Sequence, residues 1–156
     1  MSAIGVVETW AASLPEPATS ERVRQNFWYV RIPGNARSWI PFEIDVGERS
    51  VKVTSHVIIE PDEHHKEVYE LLLRHNHRAS GSYFSIDGQE GVICLVNRIS
   101  LVDFDELKLD EVVGSMIEET ETTFRTILGL GFASRLKTTG DARRATPSET
   151  EKKRSS

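Results

Sequence analysis

The stretch FWYVRIPGNARSWIPFEIDVGERSVKVTSHVIIE, residues 27–60, decides the fold because it contains three extended runs separated by short turns. Residues 27–32 are aromatic and β-branched, and residues 39–46 and 50–60 alternate apolar with polar side chains. A Pro-Gly-Asn turn follows the first run and a Gly-Glu turn follows the second. Because connections this short join antiparallel neighbours, the stretch predicts a three-stranded antiparallel meander.

Helical periodicity is present on both sides of this meander. Apolar residues recur at helical spacing from Ile4 to Leu14, and again, over a longer segment, from Leu109 to Leu128. Gly129 and Gly131 are expected to end the long C-terminal helix. Residues 19–26 are polar, and we expect at most a short second turn of helix there.

Between the meander and the last helix, the sequence predicts a helix over residues 63–76 and a hairpin formed by residues 83–87 and 91–99. The predicted order is α-β-β-β-α-β-β-α. This order describes an α+β domain in which a largely antiparallel, five-stranded sheet packs against helices.

Two segments around the predicted second helix resemble the bacterial YbjN domain family. LLLRHN at residues 71–76 matches the family's helix ending in Asn, and GSYFSIDG at residues 81–88 matches its strand between a Gly and an Asp-Gly pair. Both Asn and Gly tolerate the left-handed conformation that ends a helix. The resemblance covers about residues 25–130 and implies the fold of class I type III secretion chaperones. It also implies a homodimer that binds an extended segment of a client protein, in a family described as sensory-transduction regulators.

Residues 134–156 differ in composition from the rest of the chain. After Leu136 they contain almost no large apolar residue, which predicts a disordered basic tail that follows a domain of residues 1–133. Six basic and three acidic residues give residues 137–156 a net charge of +3, which leaves −8 on the remainder of a chain whose net charge is −5. An acidic body repels phosphates, so nucleic acid is not an expected partner. In the tail, Thr146 follows a pair of arginines and is a candidate phosphorylation site.

Cysteine usage and hydropathy predict the compartment. The single cysteine, Cys94, lies in an apolar run typical of a buried strand, so no intramolecular disulfide forms. No apolar run reaches the roughly 20 residues of a membrane span, and the N-terminus lacks the basic region of a signal peptide. These features predict a cytoplasmic protein that does not associate with membranes.

The sequence contains no recognisable pattern of catalytic or metal-binding residues. His64 and His65 are adjacent and His75 and His77 are two residues apart, whereas two ligands on one helix face are three or four residues apart. The acidic residues of the last helix fit a solvated polar face. There is no nucleophile elbow, no His-Glu-x-x-His motif and no glycine-rich phosphate loop. We therefore expect no enzymatic activity, no metal and no cofactor.

The best candidate for a functional site is a group of aromatic and arginine side chains near the first two strands. Its candidate protein-binding residues are Trp28, Tyr29, Arg31, Arg37 and Trp39. Adjacent residues of a strand point to opposite faces, so Trp28 and Tyr29 cannot both enter the core. Two explanations stay open. The N-terminal helix or a dimer partner covers the outward ring, or that ring lines a groove for a client segment.

The sequence therefore favours a non-enzymatic protein-binding module, chaperone-like or regulatory. The alternative is a small-molecule sensor or an unrecognised enzyme that uses a pocket between the sheet and the C-terminal helix. A homodimer is the expected assembly, and its interface is formed either by the helix from Leu109 to Leu128 or by an exposed sheet edge.

Overall fold

The computed structural model describes residues 1–79 and 81–136. The helices and strands of these residues are α1 (Ala3–Ala12), β1 (Thr19–Arg24), β2 (Phe27–Pro33), β3 (Trp39–Val46), β4 (Ser50–Ile58), α2 (His65–Arg78), β5 (Tyr83–Ile86), β6 (Ile93–Ser100) and α3 (Glu106–Gly131). The expected α+β class, with an antiparallel sheet packed against helices, is confirmed. The second helix begins and ends two residues later than predicted.

One sheet contains all six of these strands, in the order β1-β2-β3-β4-β6-β5, and every neighbouring pair is antiparallel. The prediction of five strands is wrong because residues 19–24 form β1. All six residues of β1 are exposed at the edge of the sheet, so this strand lacks the apolar alternation by which a strand is recognised. Its pairing with β2, from Thr19 opposite Arg31 to Arg24 opposite Phe27, makes it a strand.

The three helices pack on one side of the sheet, which we call the inner face. The core between them contains, among others, Val30, Phe42, Val53, Leu109, Met116 and Ile127. A hydrogen bond of 3.1 Å from Trp10 Nε1 to Asp110 Oδ1 ties α1 to α3. The residues that alternate with these core positions along the strands form the outer face of the sheet, where side chains of β2 and β3 are only half-buried.

The backbone ladder between β3 and β4 covers only half of β3. It runs from Glu43 opposite Thr54 to Val46 opposite Val51. Pro41 has no N–H to donate, so the ladder cannot continue regularly past it. Beyond the end of the ladder, the Ser55 hydroxyl donates a hydrogen bond to the Pro41 carbonyl at 2.8 Å.

The end of α3 differs from the prediction. The helix continues through Gly129 and Gly131 because Gly131 serves close packing rather than a helix stop. A Cβ at Gly131 would lie 2.7 Å from Pro61 Cβ, and the Gly131 carbonyl accepts the N–H groups of Asp62 and Glu63 at 3.0 and 3.1 Å. A side chain at Gly131 would therefore separate α3 from the β4–α2 connection.

The predicted domain boundary after residue 133 falls within a short helical segment over residues 133–136. Ser134 donates its backbone N–H and its hydroxyl to the carboxylate of Glu63, and the guanidinium of Arg135 lies 2.8 Å from Asp62 Oδ2. Residues 137–156, which make up most of the predicted tail and include Thr146, lie outside the described residues.

Candidate protein-binding surfaces

The first two aromatic residues of the predicted site lie on opposite faces of β2. Trp28 is only 2% exposed and belongs to the core cluster that also contains Trp10 of α1. The guanidinium of Arg22 lies 4.9 Å above the Trp28 ring and is paired with Glu8 of α1. Trp28 is therefore a core residue, whereas Tyr29 points to the outer face and is half-buried.

Three residues of the predicted site share the outer face. Arg31 of β2 contacts Trp39 of β3, with its guanidinium carbon 4.7 Å from the centre of the Trp39 ring, whereas Tyr29 lies further along β2, opposite Glu43. Phe27 extends the group at the other end of β2, where the guanidinium of Arg24 lies 4.7 Å above its ring. We call Phe27, Tyr29, Arg31 and Trp39 the outer aromatic face. Arg24 restrains the ring of Phe27 and Arg31 restrains that of Trp39 through cation–π attraction, and neither ring is completely buried.

The fifth predicted residue, Arg37, does not belong to this surface. Its Nη1 donates to the carbonyls of His56 and Val57 at 2.7 and 3.1 Å, and its guanidinium lies 5.3 Å above the ring of Phe124 in α3. Burial lowers the pKa of the Arg37 guanidinium, and the nearby carboxylate of Glu121 partly offsets that effect. Arg37 therefore acts within the fold, between β3, β4 and α3.

Sequence reasoning missed Glu121 as a residue of this region. Its carboxylate accepts the backbone N–H of Asn35 at 2.8 Å and also that of Ala36, both in the turn between β2 and β3. The acidic residues of α3 were predicted to form a solvated face, and that prediction is wrong for Glu121. No sequence signal marks it, because neither partner is within 80 residues along the chain.

A second apolar surface lies where α2 meets β5 at the end of the sheet. A groove of about 270 Å³ opens there, lined by Tyr69, Leu72, Leu73, Asn76, Phe84, Ser85 and Ile86. Leu73 is 68% exposed and Ile86 is 47% exposed. Among the described residues, β5 pairs on one side only, since it is the last strand in the sheet order. We call this region the α2–β5 edge.

Asn76 fixes the geometry of the α2–β5 edge. Its amide Nδ2 donates to the Phe84 carbonyl at 3.0 Å, and its Oδ1 accepts the Phe84 N–H at 2.7 Å. The expectation that Asn76 ends the helix in a left-handed conformation is therefore wrong, and α2 continues to Arg78. Gly81 does adopt a left-handed conformation, with φ of +102°.

The described residues contain no group of three His, Cys, Asp or Glu side chains that could hold a metal ion. Burial raises the pKa of the Cys94 thiol to about 11, which keeps it protonated and poorly nucleophilic at neutral pH. A polar groove of about 460 Å³ lies between β6 and the first half of α3, with Ser82, Asn97 and Lys108 among its lining. This groove is where the alternative hypothesis of a small-molecule sensor placed its pocket. No helix in the described part of the chain is long and apolar enough to cross a membrane.

Comparison with known proteins identifies relatives at the levels of family and fold. A sequence profile of the Tir chaperone protein (CesT) family matches residues 22–123, well over half of the chain. An uncharacterized protein of Mycobacterium leprae is 38% identical over 114 residues, which are 73% of this chain and 61% of the relative. Uncharacterized proteins of Mycobacterium bovis and Mycobacterium tuberculosis are 36% identical over 108 residues, or 69% of this chain and 58% of theirs. The chain therefore spans about three fifths of the length of these relatives.

Among solved structures, the crystal structure of the Yersinia pestis type III secretion chaperone SycH, in complex with a stable fragment of YscM2, is similar. The superposition has a TM-score of 0.53 and covers 78% of this chain and 99% of that one, at 15% sequence identity. At this identity the likeness shows the fold alone. The prediction of a type III secretion chaperone-like fold is confirmed, and the assignment to the YbjN family stays a prediction.

Proposed function

Because the chain belongs to the Tir chaperone protein (CesT) family, we propose that it is a non-enzymatic, chaperone-like module that binds an extended segment of a partner protein. The outer aromatic face is the surface that we assign to this partner. A role as a regulator, a location in the cytoplasm and membership of the YbjN family are further parts of the proposal.

The observation that carries the proposal is the outer aromatic face itself. It presents half-buried rings of β2 and β3 on the side of the sheet opposite the helices, and arginines hold two of the rings in place. Rings with few accessible rotamers lose little conformational entropy on binding, so they offer contact area at low cost. An extended segment presents alternate side chains to a sheet, and each second residue meets this face.

We assign the homodimer interface to the α2–β5 edge. Of the two interfaces considered from the sequence, α3 uses its apolar side chains for the core, including Leu109, Met116 and Ile127. The α2–β5 edge instead leaves Leu73 and Ile86 largely exposed beside a strand with one free edge. An isologous pair would cover the same residues in both copies. The two surfaces therefore receive different partners, a second copy at the edge and a client on the outer face.

Photo-crosslinking in the source organism tests the assignment of the client surface. The variant Tyr29→p-benzoylphenylalanine places a reactive group within the outer aromatic face, and the matched control carries the same group at Val102, which is 92% exposed between β6 and α3. We expect a crosslinked protein at position 29 that is not captured at position 102 and that disappears on adding Trp39→Ala. Capture that persists with Trp39→Ala would contradict the proposed surface.

Thermal denaturation in the presence of metabolites tests the alternative of a small-molecule sensor, whose site would be the polar groove between β6 and α3. A metabolite that binds there raises the melting temperature, and Lys108→Ala should abolish the effect if the groove is the site. For a binding module we expect no metabolite-dependent rise. A rise that Lys108→Ala removes would replace the client-binding proposal with that of a sensor.

A further inference from the structure

The half of β3 that carries Trp39 is held by unusual contacts. Residues 39–42 pair with β2, but their other side has no backbone ladder because the pairing of β3 with β4 begins only at Glu43. On that side, hydrogen bonds from side chains join the two strands, from Ser55 to the Pro41 carbonyl and from Arg37, just before β3, to the carbonyls of His56 and Val57. The position of Trp39 therefore depends on side chains more than is usual for a strand inside a sheet.

Arg37 links the start of β3 to both neighbouring layers. Its Nη1 bridges two successive carbonyls of β4, and its guanidinium packs on the ring of Phe124. The Nε and Nη2 groups are buried without a hydrogen-bonding partner among the described residues. Burial lowers the pKa of the guanidinium, and the nearby carboxylate of Glu121 partly offsets that effect.

Glu121 holds the turn from the side of α3. Two successive backbone N–H groups, of Asn35 and Ala36, converge on its carboxylate. Hydrogen bonds to an ionised acceptor are about twice as strong as neutral ones. Gly34 is required here, because a Cβ at this position would lie 2.2 Å from Glu121 Oε1 and 2.7 Å from the Arg37 carbonyl. The turn is therefore shaped around this carboxylate.

We propose that Glu121 and Arg37 are positioning residues for the outer aromatic face. From the helix side of the sheet, they fix the β2–β3 turn and thereby hold Trp39 against Arg31 on the opposite side. The proposal rests on the proposed function in so far as the outer aromatic face is the client surface. Its conformational part, that the carboxylate and the guanidinium immobilise the turn, holds or fails independently of any client.

The intrinsic tryptophans make the conformational part measurable. Trp10 and Trp28 are both 2% exposed, so acrylamide quenching of native fluorescence reports mainly on half-buried Trp39. In Glu121→Ala we expect stronger quenching, and amide hydrogen exchange at Asn35 and Ala36 at least about tenfold faster, which corresponds to the loss of one charge-assisted hydrogen bond. The matched control is Glu118→Ala, which removes an exposed carboxylate from the same helix.

A second variant distinguishes loss of the contact between Glu121 and the β2–β3 turn from a general loss of stability. Gly34→Ala should displace both the Glu121 carboxylate and the Arg37 carbonyl, and so loosen the turn at least as much as Glu121→Ala does. Because both changes break the contact between Glu121 and the turn, the loosening in Gly34→Ala combined with Glu121→Ala should be less than the sum of the two single effects. Additive effects of the two changes, or exchange at Asn35 and Ala36 that stays at the wild-type rate, would overturn the proposal. Arg37→Lys, which keeps the charge but loses the planar fork, should give an intermediate loosening.

The functional part is tested with a dodecapeptide selected on the wild-type protein from a random display library. We expect Glu121→Ala to weaken peptide binding about tenfold and Glu118→Ala to leave it unchanged. The positioning role is overturned if Glu121→Ala loosens the turn but binds the peptide with wild-type affinity, while Trp39→Ala loses binding. The assignment of the client surface would then be retained. Full affinity in Trp39→Ala would instead overturn the proposed function, while exchange and quenching would still decide whether Glu121 immobilises the turn.

Discussion

The outer aromatic face and the α2–β5 edge both present apolar side chains to solvent, but they do so differently. On the outer aromatic face, half-buried rings lie under guanidinium groups, as Trp39 does under Arg31. At the α2–β5 edge, aliphatic side chains such as Leu73 extend freely and are much more exposed. Arginines restrain two rings of the first surface, whereas the exposed aliphatic side chains of the second lie beside a base that Asn76 fixes to Phe84.

This difference indicates which kind of partner suits each surface. Restrained rings favour a partner that supplies a complementary segment, since little rotamer freedom remains to be lost on the protein's side. Exposed aliphatic side chains beside a free strand edge gain from any apolar surface that covers them, and a second copy supplies the same residues in matching positions. The two surfaces therefore support separate roles in client binding and self-association.

The largest effect that we expect separates the two tryptophans of the first hairpin. Trp28→Ala should lower the free energy of unfolding by about 3–5 kcal/mol, because it empties a fully buried site. Trp39→Ala should lower it by about 1 kcal/mol, because that ring is half-buried. Urea denaturation measures both values. Equal losses would show that Trp39 is part of the core and would remove it from the outer surface.

A charge at the α2–β5 edge should break self-association. In Leu73→Glu we expect the dimer dissociation constant to rise about 100-fold, because each copy would bury an unpaired carboxylate. Leu107→Glu is the matched control, since Leu107 of α3 is 68% exposed, as Leu73 is. Analytical ultracentrifugation over a concentration series gives the result. A wild-type protein that is monomeric at every concentration would refute the dimer, and equal weakening by Leu107→Glu would place the interface elsewhere.

Cys94 reports on whether the sheet opens between the two surfaces. It lies on β6, opposite His56 of β4 and Ser85 of β5, and burial raises its thiol pKa to about 11. At pH 8.5 we expect iodoacetamide to react at least about tenfold more slowly with the native protein than with the urea-unfolded chain, whose thiol has an ordinary pKa of about 8.5. Equal rates would mean that the α2–β5 edge opens readily.

The raised pKa of Cys94 predicts how the free energy of unfolding depends on pH. Because the folded pKa of Cys94 lies above the unfolded value, the stabilising contribution is complete below about pH 8.5 and is lost as the pH rises through about 11. Cys94→Ala should remove this part of the alkaline loss of stability. The prediction is contradicted if stability falls between pH 8.5 and 11 with the same slope in Cys94→Ala as in the wild-type protein.

The smallest effect that we expect concerns the cation–π contact between Arg31 and Trp39 on the outer aromatic face. Arg31→Ala should lower the free energy of unfolding by about 0.5–1 kcal/mol, the usual strength of an exposed cation–π contact. A double-mutant cycle with Trp39→Ala isolates that coupling from the other contacts of Arg31. Coupling indistinguishable from zero would mean that Arg31 does not restrain the ring, and the contrast with the α2–β5 edge would then lose its physical basis.

Much of the candidate surface was predictable from strand alternation. The opposite orientations of Trp28 and Tyr29 follow from the two-residue period of a strand, and the structure shows Trp28 inside and Tyr29 outside. Which of the two faces the helices was not predictable, because both neighbours are large and apolar. Arg37 was placed with the surface because charge suggests exposure, whereas its long side chain reaches back to the carbonyls of β4.

The sequence by itself determined the elements whose signal is local and repeated. Alternation established β3 and β4, aromatic and β-branched composition established β2, and helical periodicity established α1 and α3. A short motif pointed to the type III secretion chaperone-like fold. Only the tertiary structure decided that residues 19–24 are a strand, that Gly131 serves close packing and that Glu121 holds a turn more than 80 residues away. Residues 19–24 pair with the neighbouring β2 but have no apolar alternation that reveals a strand. Gly131 and Glu121 contact segments that are distant along the chain, and a single glycine or polar residue has no periodicity that reveals its partner.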